Sequence, residues 1–131
     1  MNSYIKRQSG FTVIELLVVI LVIGILVTIT IVAYVGVTNH AIVSSMQNDL
    51  TNAAQVLKLD RATNGNYPTT LAAADNGNGV KASTGTTYQY SVDNTAYPKT
   101  FCITATNGKN AYKIDQSNSP IQGACSGHTL P

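Results

Sequence analysis

An α+β fold is predicted, with one long N-terminal α-helix packed on a small antiparallel β-sheet head. Three observations carry this reading. The apolar residues crowd at one end of the 131-residue chain, and from Leu16 to Val37 there is no charge at all. Beyond that run the pattern turns amphipathic, and no proline interrupts it before Pro68. The remainder is rich in Asn, Thr, Ser and Gly and carries short strand-like segments between turn residues. Charged residues make up 11% of the chain, against about 25% in an ordinary soluble domain. The net charge of +2 is too small to indicate a nucleic-acid-binding protein.

The first segment is 1–10. It holds Lys6 and Arg7 and no acid. The second, 11–37, contains the uncharged run Leu16–Val37, whose 22 residues suffice to cross a bilayer as a helix. A secretory signal peptide has a shorter apolar region of about 7–15 residues and a small-x-small cleavage site. The run here is longer, and Ile31-Val32-Ala33 is a poor site. A plain membrane anchor is the other competitor. Lys6 and Arg7 stay in the cytoplasm on that reading, and no further Lys or Arg occurs until Lys58, so the C-terminal part faces outward. Neither competitor accounts for Glu15, a carboxylate at the mouth of the apolar run. The simplest role for it is to favour the helix N-terminus through the macrodipole.

Gln8-Ser9-Gly10-Phe11-Thr12-Val13-Ile14-Glu15, followed by Leu16-Leu17-Val18-Val19-Ile20, resembles the processing signal of type IV pilins. The resemblance covers about the first 40 residues closely and the rest in general layout. It implies cleavage by a prepilin peptidase between Gly10 and Phe11, N-methylation of Phe11, and a role for Glu15 in filament assembly. On this basis 1–10 is a leader, 11–37 a membrane helix that becomes filament core, 38–63 its amphipathic continuation, and 64–131 the head. Cleavage leaves a free amine on Phe11 in apolar surroundings, and Glu15 is the acid within reach. The pair can form within one helix, where residues four apart share a face, or between neighbouring subunits. Two features depart from the family pattern. Gln8-Ser9 separates the basic pair from Gly10, and Val32 stands where many members carry a proline. Gly24, followed by many β-branched residues, is the candidate point of helix flexibility.

Past the apolar run, Ile42, Val43, Met46, Leu50, Ala53, Ala54 and Leu57 recur at steps of three and four, with polar residues between them. One helix from Phe11 to about Ala62 follows, ended by Asn64-Gly65-Asn66. The stripe fits a face that receives the sheet. Strands are expected at Thr86–Val92, Thr100–Ala105 and Ala111–Ile114, with Asn107-Gly108 as a hairpin signal. Asp75-Asn76-Gly77-Asn78-Gly79 reads as a turn; a calcium loop is the alternative, without EF-hand spacing. The tail Ser117–Pro131 shows no regular pattern.

Cys102 and Cys125, an even count beyond a membrane segment, fit an oxidising compartment and one disulfide. Two buried thiols are the alternative. No metal site is indicated, because two cysteines and two distant histidines do not make a four-ligand set. His40 and His128 stand alone, so no catalytic group is assigned, no cofactor is implied and an enzyme is not expected. Tyr88, Tyr90 and Tyr112 can pack the sheet or, with nearby lysines, stack on DNA bases; packing is the simpler role.

The resemblance implies a subunit that sits in the cytoplasmic membrane with its N-terminus inside and then moves into an extracellular pilus. Its partners are the prepilin peptidase, other pilin subunits and the membrane assembly machinery. A pseudopilin of a type II secretion system is the nearest alternative. A single-pass anchored binding module is the alternative from another class.

Overall fold

The structure is a computed structural model that describes residues 10–130. The expected leader, with Lys6 and Arg7, lies outside the described residues except for Gly10. Helix α1 spans Val13–Asn64, and the chain divides into two units between Asn39 and His40. The fold is α+β, with this apolar N-terminal helix and one small antiparallel sheet.

In the first unit every residue from Phe11 to Tyr34 is exposed. By length and composition α1 can cross a membrane. Two of its hydroxyls are served from within the helix. The Thr28 hydroxyl donates to the Ile25 carbonyl and the Thr30 hydroxyl to the Leu26 carbonyl, each at 2.7 Å. Such back-bonding leaves no hydroxyl proton for hydrocarbon to solvate.

In the second unit α1 lays Met46, Leu50, Ala53, Ala54 and Leu57 into the core. The stripe expected to begin at Ile42 takes full effect four residues later, since Ile42 is exposed and Val43 half-buried. The helix stops where Gly65 adopts φ +75° and its N–H reaches the Arg61 carbonyl at 2.9 Å, a left-handed stop that glycine adopts without strain. Two carboxylates on α1 then fasten the connecting segment. Asp60 accepts the Asp75 N–H and Asp49 the Ser83 N–H, both at 2.9 Å. The expected turn at Asp75–Gly79 is present as a 3-10 turn over Asp75–Gly77.

The sheet runs in order β1 (Thr87–Asp93), β2 (Thr100–Thr106), β3 (Ala111–Ile114) and β4 (Ile121–Gln122), with every neighbouring pair antiparallel. Strand β4 corrects the expectation of an unpatterned tail. Two residues are too short for any alternation to show. The β2–β3 turn centres on Gly108-Lys109, one residue later than the Asn-Gly signal, because Asn107 and Asn110 form the last pair. Gly108 supplies the positive φ of +81°, and Asn107 stays outside the turn centre, its carboxamide oxygen accepting the Lys109 and Asn110 N–H groups.

Register fixes the two faces. Tyr88 stands opposite Ala105, Tyr90 opposite Ile103 and Val92 opposite Phe101, so these side chains share the core face. Tyr67 packs edge-on against Phe101 at 4.9 Å between ring centroids. Tyr88, Tyr90 and Tyr112 pack against this core, as the simpler reading held. Burial raises the pKa of the Tyr88 and Tyr90 hydroxyls, and the latter donates to the Pro68 carbonyl at 2.8 Å.

The other face of β2 is covered by the C-terminal tail. Cys102 and Cys125 form a disulfide with Cα atoms 6.1 Å apart. Thr104, fully buried, accepts the Cys125 N–H at 2.9 Å and meets His128 Nδ1 at 2.7 Å. The Gln89 carboxamide grips Thr129 in both directions, donating to its carbonyl at 2.6 Å and accepting its N–H at 3.0 Å.

Two outcomes follow for stability. Reducing the disulfide frees a loop with a sequence separation of 23 residues and is expected to cost about 3 kcal/mol, read as a lower urea midpoint with and without reductant. The second concerns His128. Its Nδ1 lies 2.7 Å from the Thr104 hydroxyl, and burial lowers its pKa from 6.5, which favours the neutral ring. The unfolded chain therefore binds more protons near neutrality, and stability rises with pH there. This contribution is complete above about pH 6.5 and is lost as pH falls through that value towards the folded pKa. Urea midpoints measured from pH 7.5 down to 5 are expected to fall, and His128→Gln is expected to flatten that slope.

Candidate functional site

The sequence-predicted processing and assembly residues lie together at the start of α1. Gly10 is exposed, and a Cβ added there would meet no atom within 4 Å. Nothing within the fold therefore calls for glycine at this position. Phe11 is 90% exposed and precedes the helix.

The Thr12 hydroxyl accepts the Glu15 N–H at 3.3 Å, and Glu15 Oε2 accepts the Thr12 N–H at 2.9 Å and its hydroxyl at 2.8 Å. This is a reciprocal capping box, which satisfies two of the amides that every helix start leaves open. Glu15 is thus turned towards Thr12 in this chain. The same-helix pairing of Phe11 with Glu15 needs Phe11 on the helix face, and α1 begins only at Val13. Glu15 Oε1 has no partner among the described residues.

Sequence reasoning did not single out Thr12. Its signal was present: Thr-x-x-Glu directly before an apolar run is the capping-box pattern. Gly24 lies within continuous helix, lines a shallow apolar groove with Leu17, Ile20, Leu21, Ile25 and Thr28, and has no neighbour where a Cβ would stand. The helix also runs unbroken past Val32. Cys102 and Cys125 are joined at the far end of the chain, on the head. Among the described residues no three His, Cys, Asp or Glu side chains gather into a metal-holding group.

An exposed apolar N-terminal helix with a capped, accessible start, set ahead of a small disulfide-closed sheet, defines a pilin-like architecture. Residues 5–31 match the family described as "Prokaryotic N-terminal methylation motif". The chain is 33% identical over 70 residues to the type II secretion system core protein G of Aeromonas hydrophila, an alignment covering 53% of this chain and 49% of that protein. The matched region thus spans about half the length of the curated relative. No solved structure is matched. The motif and the relative support a type IV pilin-like family. They fit a membrane-anchored precursor.

The capping box has a direct test. Thr12→Ala removes its hydroxyl and is expected to speed hydrogen exchange of the first-turn amides about five-fold, the effect of losing a typical N-cap, while the head amides are unchanged. Exchange measured by NMR in detergent micelles checks this.

Proposed function

We propose that the chain is the precursor of a structural filament subunit of a type IV pilus. A prepilin peptidase cuts it between Gly10 and Phe11, Phe11 is N-methylated, and the mature subunit assembles through its N-terminal helix. The observation that carries this reading is the methylation motif at 5–31 laid over a helix whose apolar surface has no cover in its own unit.

On this reading Glu15 has two separable tasks. Oε2 caps its own helix, while Oε1 is free to accept the Phe11 amine of a neighbouring subunit. A charge isolated in a dry filament core is costly, and a matched pair less so, so pairing favours one axial stagger over others. Gly24 brings no side chain to support the helix's hydrogen bonds when packed, and is the proposed point of flexibility.

A second reading is favoured by one observation. The relative in Aeromonas hydrophila is a type II secretion core protein, which supports a pseudopilin of a secretion system built from the same processed helix. The two readings share every step at Gly10, Phe11 and Glu15 and separate on where the filament ends. Pilus subunits accumulate outside the cell, whereas a pseudopilin's deletion stops export of secreted enzymes.

Mass spectrometry of the protein from its own cells tests the common core. A product starting at N-methyl-Phe11 is expected. An intact Met1, or an N-terminus near Ala33, would overturn it.

A further inference from the structure

The two edges of the head sheet are built differently. Strand β4 has two residues, a short edge of the kind that discourages pairing. Strand β1 has seven, with unbroken register against β2 and therefore no bulge, and it contains neither proline nor lysine. Its one charge is Asp93. Of the usual devices that blunt an edge, β1 carries only this one charge, at its last residue.

The direction of its backbone groups follows from the register. The Asn107 N–H donates to the Asn110 carbonyl at 3.2 Å, which makes these two a hydrogen-bonded pair. Antiparallel pairs alternate, so Ala105 with Tyr112 and Ile103 with Ile114 are the bonded pairs between β2 and β3. Thr106, Thr104 and Cys102 then direct their backbone groups to β1, where Thr87, Gln89 and Ser91 receive them. On the opposite side the Gly123 N–H donates to the Ala111 carbonyl at 2.9 Å, as the same alternation requires. Tyr88, Tyr90 and Val92 are left with N–H and C=O groups directed at the free edge. No backbone partner for them exists among the described residues. The neighbouring segment is held by the Tyr90 hydroxyl on Pro68 and by the Asn94 carboxamide on Tyr67, neither of which uses an edge group.

We propose that β1 is a docking edge for the β1 strand of a second copy of this chain, paired antiparallel about Tyr90. The strand is self-complementary in that register. Tyr90 meets Tyr90 of the other copy, Tyr88 meets Val92, Gln89 meets Ser91 and Thr87 meets Asp93. The residues whose backbone groups point outward are the ones that this two-fold places as bonded pairs, so all three donors and three acceptors of each edge are matched. No like charges oppose one another, since Asp93 lies across from a threonine. A centre between two residues would set outward-pointing groups against inward-pointing ones and is excluded by parity, while a centre on Gln89 or Ser91 matches only two of the three outward residues within the strand. The contact is isologous, the same edge on both copies, and it reverses strand direction between them. The proposal does not depend on processing at Gly10.

The test is hydrogen exchange of the full chain in detergent micelles, followed by NMR at increasing protein concentration. The amides of Tyr88, Tyr90 and Val92 are expected to gain protection together with concentration, while Gln89 and Ser91, already bonded to β2, do not change. Thr87→Lys sets a cation opposite Asp93 twice per pair and is expected to raise the association constant about two- to thirty-fold. Adding Asp93→Lys to it opposes lysine with lysine and is expected to reverse that gain. Absence of concentration-dependent protection at the three amides in both the parent and Thr87→Lys would overturn the proposal. So would protection spread evenly along β1, or a Thr87→Lys variant that associates no more tightly than the parent.

Discussion

The chain's apolar N-terminal surface has no cover within its own unit, and the rest of the design answers to that. From Phe11 to Tyr34 every side chain is exposed, including long runs of Leu, Ile and Val. At about 25 cal/mol per Å² of apolar surface, such a helix is unstable in water and at home in lipid or among other helices. A helix is the form that closes its own backbone bonds there. The few exceptions are handled locally: Thr12 and Glu15 cap the open amides at the start, and Thr28 and Thr30 return their hydroxyls to the turn before.

The same helix changes its task after Asn39. From Met46 it becomes the floor of a core that a sheet this small could not build alone. The sheet in turn is covered on both faces at β2, by α1 on one side and by the disulfide-tied tail on the other. That double cover explains why Thr104 and Thr106 are buried on what strand alternation makes the outer face. A buried hydroxyl needs partners, and Thr104 has them in the Cys125 N–H and His128 Nδ1. The tail is thus held by polar fit as well as by its covalent bond.

Much of this was legible in the residues, and the unread parts share a physical cause. The apolar run, the stripe from Met46 to Leu57 and strands β1 to β3 each repeat a local period, so they showed themselves. Strand β4 has no room for a period. The grips of Gln89 on Thr129 and of Asn94 on Tyr67 join residues 40 and 27 positions apart, and single carboxamides carry no mark of such a partner. The Thr12 cap is a different case: it was local and readable, but Glu15 drew attention to a distant charge partner while its nearest one stood three residues away.

The charges of the head follow one rule that the composition conceals. Lys58 reaches the Gln116 carbonyl and the Asn118 carboxamide, Lys99 the Gly65 carbonyl and Asn66, and Arg61 the Tyr67 hydroxyl. Asp49, Asp60, Asp93 and Asp115 accept backbone N–H groups. The Thr95 hydroxyl on Asp93 and the Ser117 hydroxyl on Asp115, together with these backbone bonds, hold both carboxyl pKa values below the usual value. Among the described residues these charged groups serve as connectors to neutral backbone and amide groups. Exposed ion pairs contribute little and are screened by salt, whereas a short charge-assisted bond to a backbone group holds its loop in one place. A head poor in charge keeps its loops fixed in this way, and its long strand edge carries a single charge, Asp93. So few charges let copies of one chain approach with little mutual repulsion.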